Sequence, residues 1–155
     1  MGLRRTIGLM LIVGGLAAGL AGVAIATPGV GGTTLLIAQG QAAKGTDARI
    51  PKGDDVVIVQ NTFVPGGSTG WHTHPGLAVI VVQSGEITLN REAVGGGACR
   101  IHTYSAGQVF YERPAIAQNA VNHGSINAVV GVTFFKVPHS GLSRIDQPDP
   151  GDCGP

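Results

Sequence analysis

Beyond residue 26 the apolar positions either alternate with polar ones or run unbroken for a few residues. Nowhere do they repeat every three to four residues between helix caps. Residues 55–65 (DVVIVQNTFVP) place Val57, Val59, Asn61 and Phe63 on one face and Val56, Ile58, Gln60, Thr62 and Val64 on the other. Apolar residues on both faces predict a long strand near the middle of a sheet or sandwich. Residues 33–39 (TTLLIAQ) predict a short first strand. Residues 77–82 (LAVIVV) form a continuous apolar run that reads as a buried strand, and residues 86–90 (EITLN), hinged on Ser84 and Gly85, predict its hairpin partner. Residues 99–104, 108–111, 118–122 and 127–137 supply further strands, separated by Gly-, Pro- and Ser-bearing turns. About eight or nine short strands with such turns predict an all-β sandwich or barrel.

The first 26 residues have a different pattern. Arg4 and Arg5 precede a charge-free run over residues 7–26 that ends in Ala24-Ile25-Ala26. A basic start, an apolar stretch and small residues at a cleavage position predict an export signal. The apolar run is slightly long for one, so an uncleaved membrane anchor over residues 7–26 is the alternative. Residues 27–32 then read as a flexible lead-in, residues 33–137 as the β domain and residues 138–155 as a coil tail. The 155 residues suit one domain, and 26 Gly with 12% charged residues suit strands and turns. Of 10 Lys and Arg, Arg4 and Arg5 belong to the leader, and the remainder faces 9 Asp and Glu. A near-neutral domain without a basic stripe gives no electrostatic case for nucleic acid and leaves a small molecule, a protein or no partner. Cys99 and Cys153 would both be exported, where disulfides persist. A bridge between them would pin the tail to the domain and close a loop of roughly 55 residues, worth about 4 kcal/mol in the chain-entropy model.

The candidate chemistry lies in residues 66–85. His72 and His74 stand two apart, and a strand points residues i and i+2 to one side, so both imidazoles can address one spot. Trp71 beside them either walls a pocket or fills core. The Gly-rich runs are turns without the lysine of a phosphate loop. His102, His123 and His139 read as surface or satisfied polar groups.

Gly66-x5-His72-x-His74, followed by an apolar strand and Gly85, resembles the first motif of the cupin superfamily. Gly107, Pro114 and Gln118-x3-Asn122 resemble its second motif. With its tail of Val137-Pro138, Arg144, Asp146 and Pro148 to Cys153, the chain looks like a small exported single-domain cupin over roughly residues 33–155. The resemblance implies a jelly roll (a double-stranded β-helix) and often one divalent metal, held by two His and a Glu from the first motif and a His from the second. Dimers are common in that family. The two first-motif histidines match His72 and His74, but the Glu position is Ala78 and the second-motif His position is Gln118. Two imidazoles and an amide oxygen are a neutral, weak set for iron or zinc. Glu112 is the nearest acidic residue to the second motif, and nothing in the sequence requires it to point inward.

The expectation is therefore an exported cupin-domain protein with a small-molecule pocket at His72 and His74, ringed by Trp71, Ala78, Glu112 and Asn122. Its role is binding or structural, with an optional, weakly held divalent metal on His72, His74 and Gln118; iron, manganese, zinc and nickel are not distinguished. The alternative is a metal-dependent oxygenase or isomerase whose two-His centre is completed by Gln118 or Glu112. No catalytic residue is assigned. A homodimer is compatible with the resemblance, and a membrane enters only through an uncleaved leader.

Overall fold

The computed structural model describes residues 26–41, 49–95 and 97–153. Except for Ala26, the expected export segment lies outside the described residues, among which no helix is long and apolar enough to cross a membrane. The described strands are β1 (Val30–Gln41), β2 (Asp55–Ser68), β3 (His72–Thr73), β4 (Ala78–Ser84), β5 (Glu86–Arg91), β6 (Arg100–Ser105), β7 (Val109–Glu112), β8 (Gln118–Val121), β9 (Ala128–Val137) and β10 (Ile145–Asp146). Every pairing is antiparallel. One layer runs β1-β2-β9-β4-β7 and the other β10-β3-β8-β5-β6. They join at one corner, where Ser68 of β2 pairs with Val121 of β8. This is the all-β jelly roll that the strand pattern and the motif resemblance predict.

The core follows from alternation. Val57, Val59 and Phe63 of β2, Ile80 and Val82 of β4, and Val130, Val132 and Phe134 of β9 point inward from the first layer. Ile87, Leu89 and Ala120 meet them from the second. Fully burying a large aliphatic or aromatic side chain contributes about 1.5–3 kcal/mol, so this face holds the layers together. The outer faces differ from expectation. Ile58 and Val81 are 38% and 42% exposed, although β2 and β4 read as buried on both sides. A two-layer sandwich has nothing to lay on its outer surfaces. β2 does lie between β1 and β9, as its pattern suggests.

The expected hairpin of residues 77–82 with residues 86–90 is corrected. β4 pairs with β7 and β9, whereas β5 pairs with β6 and β8, so two consecutive strands lie in different layers. Gly85 alone links them. Its φ is 70°, and a Cβ there would stand 2.8 Å from the Asn127 carbonyl oxygen. Only glycine takes that conformation and that approach at little cost, so the chain can change layers within one residue.

The ends are more ordered than their composition suggests. β1 starts at Val30, inside the expected lead-in. Thr27 N donates to Gln147 O at 3.0 Å, and Trp71 N donates to Thr27 Oγ1 at 2.8 Å. The tail, expected as coil, contributes β10, which pairs with β3. Gln147 N donates to Trp71 O at 2.9 Å beyond it. Cys99 and Cys153 form the expected disulfide, so the tail is held at β3 and again at β6. In unfolded, unreduced protein a thiol titration should find no free thiol. The Cys99→Ser/Cys153→Ser pair should lose about 2–4 kcal/mol in urea unfolding.

Candidate metal centre

Three buried side chains converge at one end of the barrel. His72 is on β3, His74 follows that strand, and Glu112 ends β7. All three are at least nine-tenths buried. His72 Nε2 and His74 Nε2 are 3.1 Å apart, and Glu112 Oε2 is 2.8 Å from the latter and 3.8 Å from the former. The far side of each ring is anchored. His72 Nδ1 lies 2.9 Å from Gly70 O, and His74 Nδ1 lies 2.6 Å from Ser143 O. A carbonyl oxygen only accepts, so both Nδ1 atoms carry hydrogen and both neutral rings present an Nε2 lone pair.

Two lone pairs and a carboxylate oxygen thus face one another. Acceptors do not attract acceptors, so a cation must stand among them: a proton or a metal ion. Ligand atoms about 2.1 Å from one ion and at right angles lie roughly 3 Å apart; the pairs that include His74 have that spacing, while His72 and Glu112 are wider, at 3.8 Å. Anchoring the other ring nitrogen on a carbonyl is also how metal-binding histidines are oriented. Burial alone would push the Glu112 carboxyl up. Where a proton is that cation, the ring that takes it on Nε2 becomes a charged donor: hydrogen bonds from His72 and His74 and their charge then outweigh burial and bring the carboxyl down to about 2.

The backbone that places these groups is tight. Gly70 has φ 68°, and a side chain there would overlap the Thr27 carbonyl. Glycine therefore allows the turn that presents Gly70 O to His72. Ser143 belongs to the tail, so His74 is oriented by a segment far from it in sequence. The centre borders a cavity of about 50 Å3 whose walls include Phe63, Ile80, Phe110 and Phe134. That is room for a few water-sized atoms beside an ion. Asn61 and Arg144 also line the cavity. Asn61 Oδ1 and Arg144 Nε are buried and have no hydrogen-bond partner among the described residues. The rest of the Arg144 guanidinium is engaged, donating to Thr69 O and pairing with Asp146 at 2.8 Å.

The barrel core matches the family model "Cupin domain" over residues 60–134. The chain belongs to the cupin superfamily. No curated protein matches the sequence. Among solved structures it is similar to an uncharacterized double-stranded β-helix protein from Klebsiella pneumoniae, at 17% identity and TM-score 0.55, covering 76% of this chain and 85% of that one. An oxalate oxidase aligns at 21% identity and TM-score 0.53, over 68% of this chain and 51% of its own. The oxalate decarboxylase of Bacillus subtilis, described with Mn(II) centres, aligns at 20% identity and TM-score 0.56, over 75% of this chain and 28% of its own. The cupin thus spans about half of the oxidase and under a third of the decarboxylase, and at these identities the likeness is one of fold.

For a cupin, this centre has its carboxylate on an unusual strand. The Glu position of the resemblance is Ala78 on β4, and the residue directly opposite Ala78 on β7 is Glu112. Opposed residues of an antiparallel pair project to the same side. The small Ala78 side chain leaves the space that Glu112 occupies. Of the two expected completions of the histidine pair, Gln118 and Glu112, it is the carboxylate that meets the histidines: it comes from the neighbouring strand, and register, which a linear motif does not encode, brings it there.

The other expected residues separate. Gln118 lies opposite His72 on β8 and is fully buried. Neither of its amide atoms has a partner among the described residues, and it makes no hydrogen bond to the histidines. A buried amide without a partner costs about 1–3 kcal/mol, so Gln118 fits a further ligand arriving beside His72. Asn122 is structural: its Nδ2 donates to Phe63 O and Ile126 O, and its Oδ1 accepts from Gly124 N. Trp71 and Ala78 are buried but do not line the cavity. His139 contacts Asp55, and His102 packs on Tyr104 at the surface. Asn61 was legible as a polar residue among the inward positions Val57, Val59 and Phe63. The role of Ser143 and Arg144 had no local signal. Ala78→Glu alone should destabilise the fold by about 2 kcal/mol or more in urea unfolding, because it places a second buried carboxylate against Glu112. The exchange Ala78→Glu/Glu112→Ala should recover most of that loss.

Proposed function

We propose that this cupin is an exported enzyme that holds one divalent metal on His72, His74 and Glu112 and acts on a small molecule in the adjoining cavity. The observation that carries the reading is the meeting of two carbonyl-anchored Nε2 lone pairs with a buried carboxylate. Two His and one carboxylate with open positions is the ligand set of non-haem iron oxygenases. Manganese has the same preference for nitrogen and oxygen donors, and the similarity to an Mn(II) protein favours considering both. Among the chemistries open to such a fold, oxygenase or oxidase is preferred over a purely structural role because the carboxylate removes the ground for weak binding.

The bound ion would supply Lewis acidity and, as iron or manganese, one-electron chemistry. The chain's own groups do the remainder. Gly70 O and Ser143 O hold the imidazoles in one tautomer. Phe63, Phe110 and Phe134 keep bulk water from the cavity. Asn61 Oδ1, free to accept, orients a hydrogen-bond donor of the substrate. Gln118 offers an amide oxygen beside His72. Export rests on the leader pattern and agrees with the Cys99–Cys153 bridge, since disulfides persist in oxidising compartments.

Elemental analysis of untagged protein should find close to one equivalent of iron or manganese per chain. Less than about a tenth of an equivalent of any divalent metal, under conditions where the fold is intact, would remove the metal-enzyme reading. Glu112→Gln should weaken metal binding at least about tenfold while leaving the circular dichroism spectrum intact.

We also propose a homodimer. Among the described residues β1 pairs only with β2, and Leu35, Leu36 and Ile37 on it are more than half exposed. A long apolar edge strand is a template for pairing. Light scattering after size exclusion should give twice the chain mass, and Leu36→Lys should shift it toward the monomer.

A further inference from the structure

A second concavity of about 290 Å3, which shares no lining residue with the cavity at the metal centre, lies beside the link from β5 to β6. Arg91, Arg100 and Arg113 line it, with Glu92, Val94 and Ile116. Arg91 and Arg100 are directly opposed in the β5–β6 ladder. Like charges in that position repel and destabilise a sheet. Arg113 adds a third charge from the end of β7. The guanidinium carbons of Arg91 and Arg113 lie 5.9 and 5.8 Å from the centre of the same Tyr111 ring.

One carboxylate, Glu92, faces three guanidiniums in this lining, so the cluster stays net positive. Among the described residues no ion pair includes Arg91, Arg100 or Arg113. Glu92 is the one carboxylate in the concavity, and its Oε1 accepts from Ala117 N at 2.7 Å. Arg91 donates through Nη2 to Tyr111 O at 2.7 Å, while its Nε is buried with no partner. The disulfide at Cys99 fixes the backbone next to Arg100. Three arginines, one of them with a buried unused donor, line one concavity, and two of them are opposed in the ladder, where like charges repel.

We propose that this concavity is a binding site for a phosphate or sulfate group. A tetrahedral dianion offsets the repulsion, and its oxygens match the planar donor forks of arginine. Val94 and Ile116 give the organic part of an ester an apolar surface. The site is independent of the metal centre and stands whether or not that centre binds metal.

Calorimetric titration of the full chain at low salt tests it, with inorganic phosphate, sulfate and glucose 1-phosphate as probes and chloride at matched ionic strength as control. Single-site binding of phosphate or sulfate is expected, weakened about tenfold or more by Arg100→Gln and by Arg113→Gln. The His72→Ala/His74→Ala chain should bind as the parent does. A sugar phosphate binding more tightly than inorganic phosphate supports an ester as ligand; equal affinity supports the free ion. Phosphate should also raise the melting temperature of the parent more than that of either arginine variant. No saturable binding above the chloride control would overturn the proposal. So would binding that survives both arginine changes and disappears with the histidines, which would place the anion on the metal centre.

Discussion

Two imidazole lone pairs and a carboxylate oxygen, buried within 3.8 Å of one another, are the constraint on which the functional end of this barrel depends. Such groups repel unless a cation joins them, and the structure gives them no freedom to turn away. Gly70 O fixes one ring and Ser143 O the other. The glycine conformation at Gly70, the Thr27 hydroxyl beneath Trp71 and the pairing of β10 with β3 all support those two carbonyls. The lead-in and the tail are therefore parts of the site, although neither contributes a ligand.

The tail connects several features that look unrelated along the chain. It starts at the end of β9, carries Ser143 to His74 and Arg144 to the cavity, pairs as β10 with β3, and ends in the disulfide to Cys99. That bridge limits how far the tail can move from the barrel. Orientation of His74 is thereby linked to the integrity of a covalent bond at the far end of the same segment. The arginine cluster borders the bridge from the other side, on β5, on β6 and just past β7.

Much of the fold was legible because its physical basis is local. Alternation in residues 55–65 and 127–137 marked strands, and Gly85 marked where the chain leaves β4, whereas Gly66 lies inside β2, which runs on to Ser68. The histidine pair was legible for the same reason, since a spacing of two places both on one side of a strand. Outer-face burial was not legible: Ile58 and Val64 look like core in sequence, and only the number of layers decides that nothing covers them. The partner of β4 was equally hidden. Proximity through Ser84 and Gly85 suggested β5, while packing assigned β7 and β9.

The carboxylate illustrates the division most clearly. The sequence by itself determined an all-β chain, a cupin-like pair of histidines and the lack of an acid at Ala78, because each depends on residue type and short spacing. It also determined which cysteines could pair, since there are only two. Whether Glu112 reached the histidines depended on the register of β4 against β7, a contact across 34 positions of chain that no local pattern specifies. The same holds for Ser143, Arg144 and the gathering of Arg91, Arg100 and Arg113. Side-chain chemistry is written residue by residue, but convergence at a point is a property of closed sheets, and only the tertiary structure decides it.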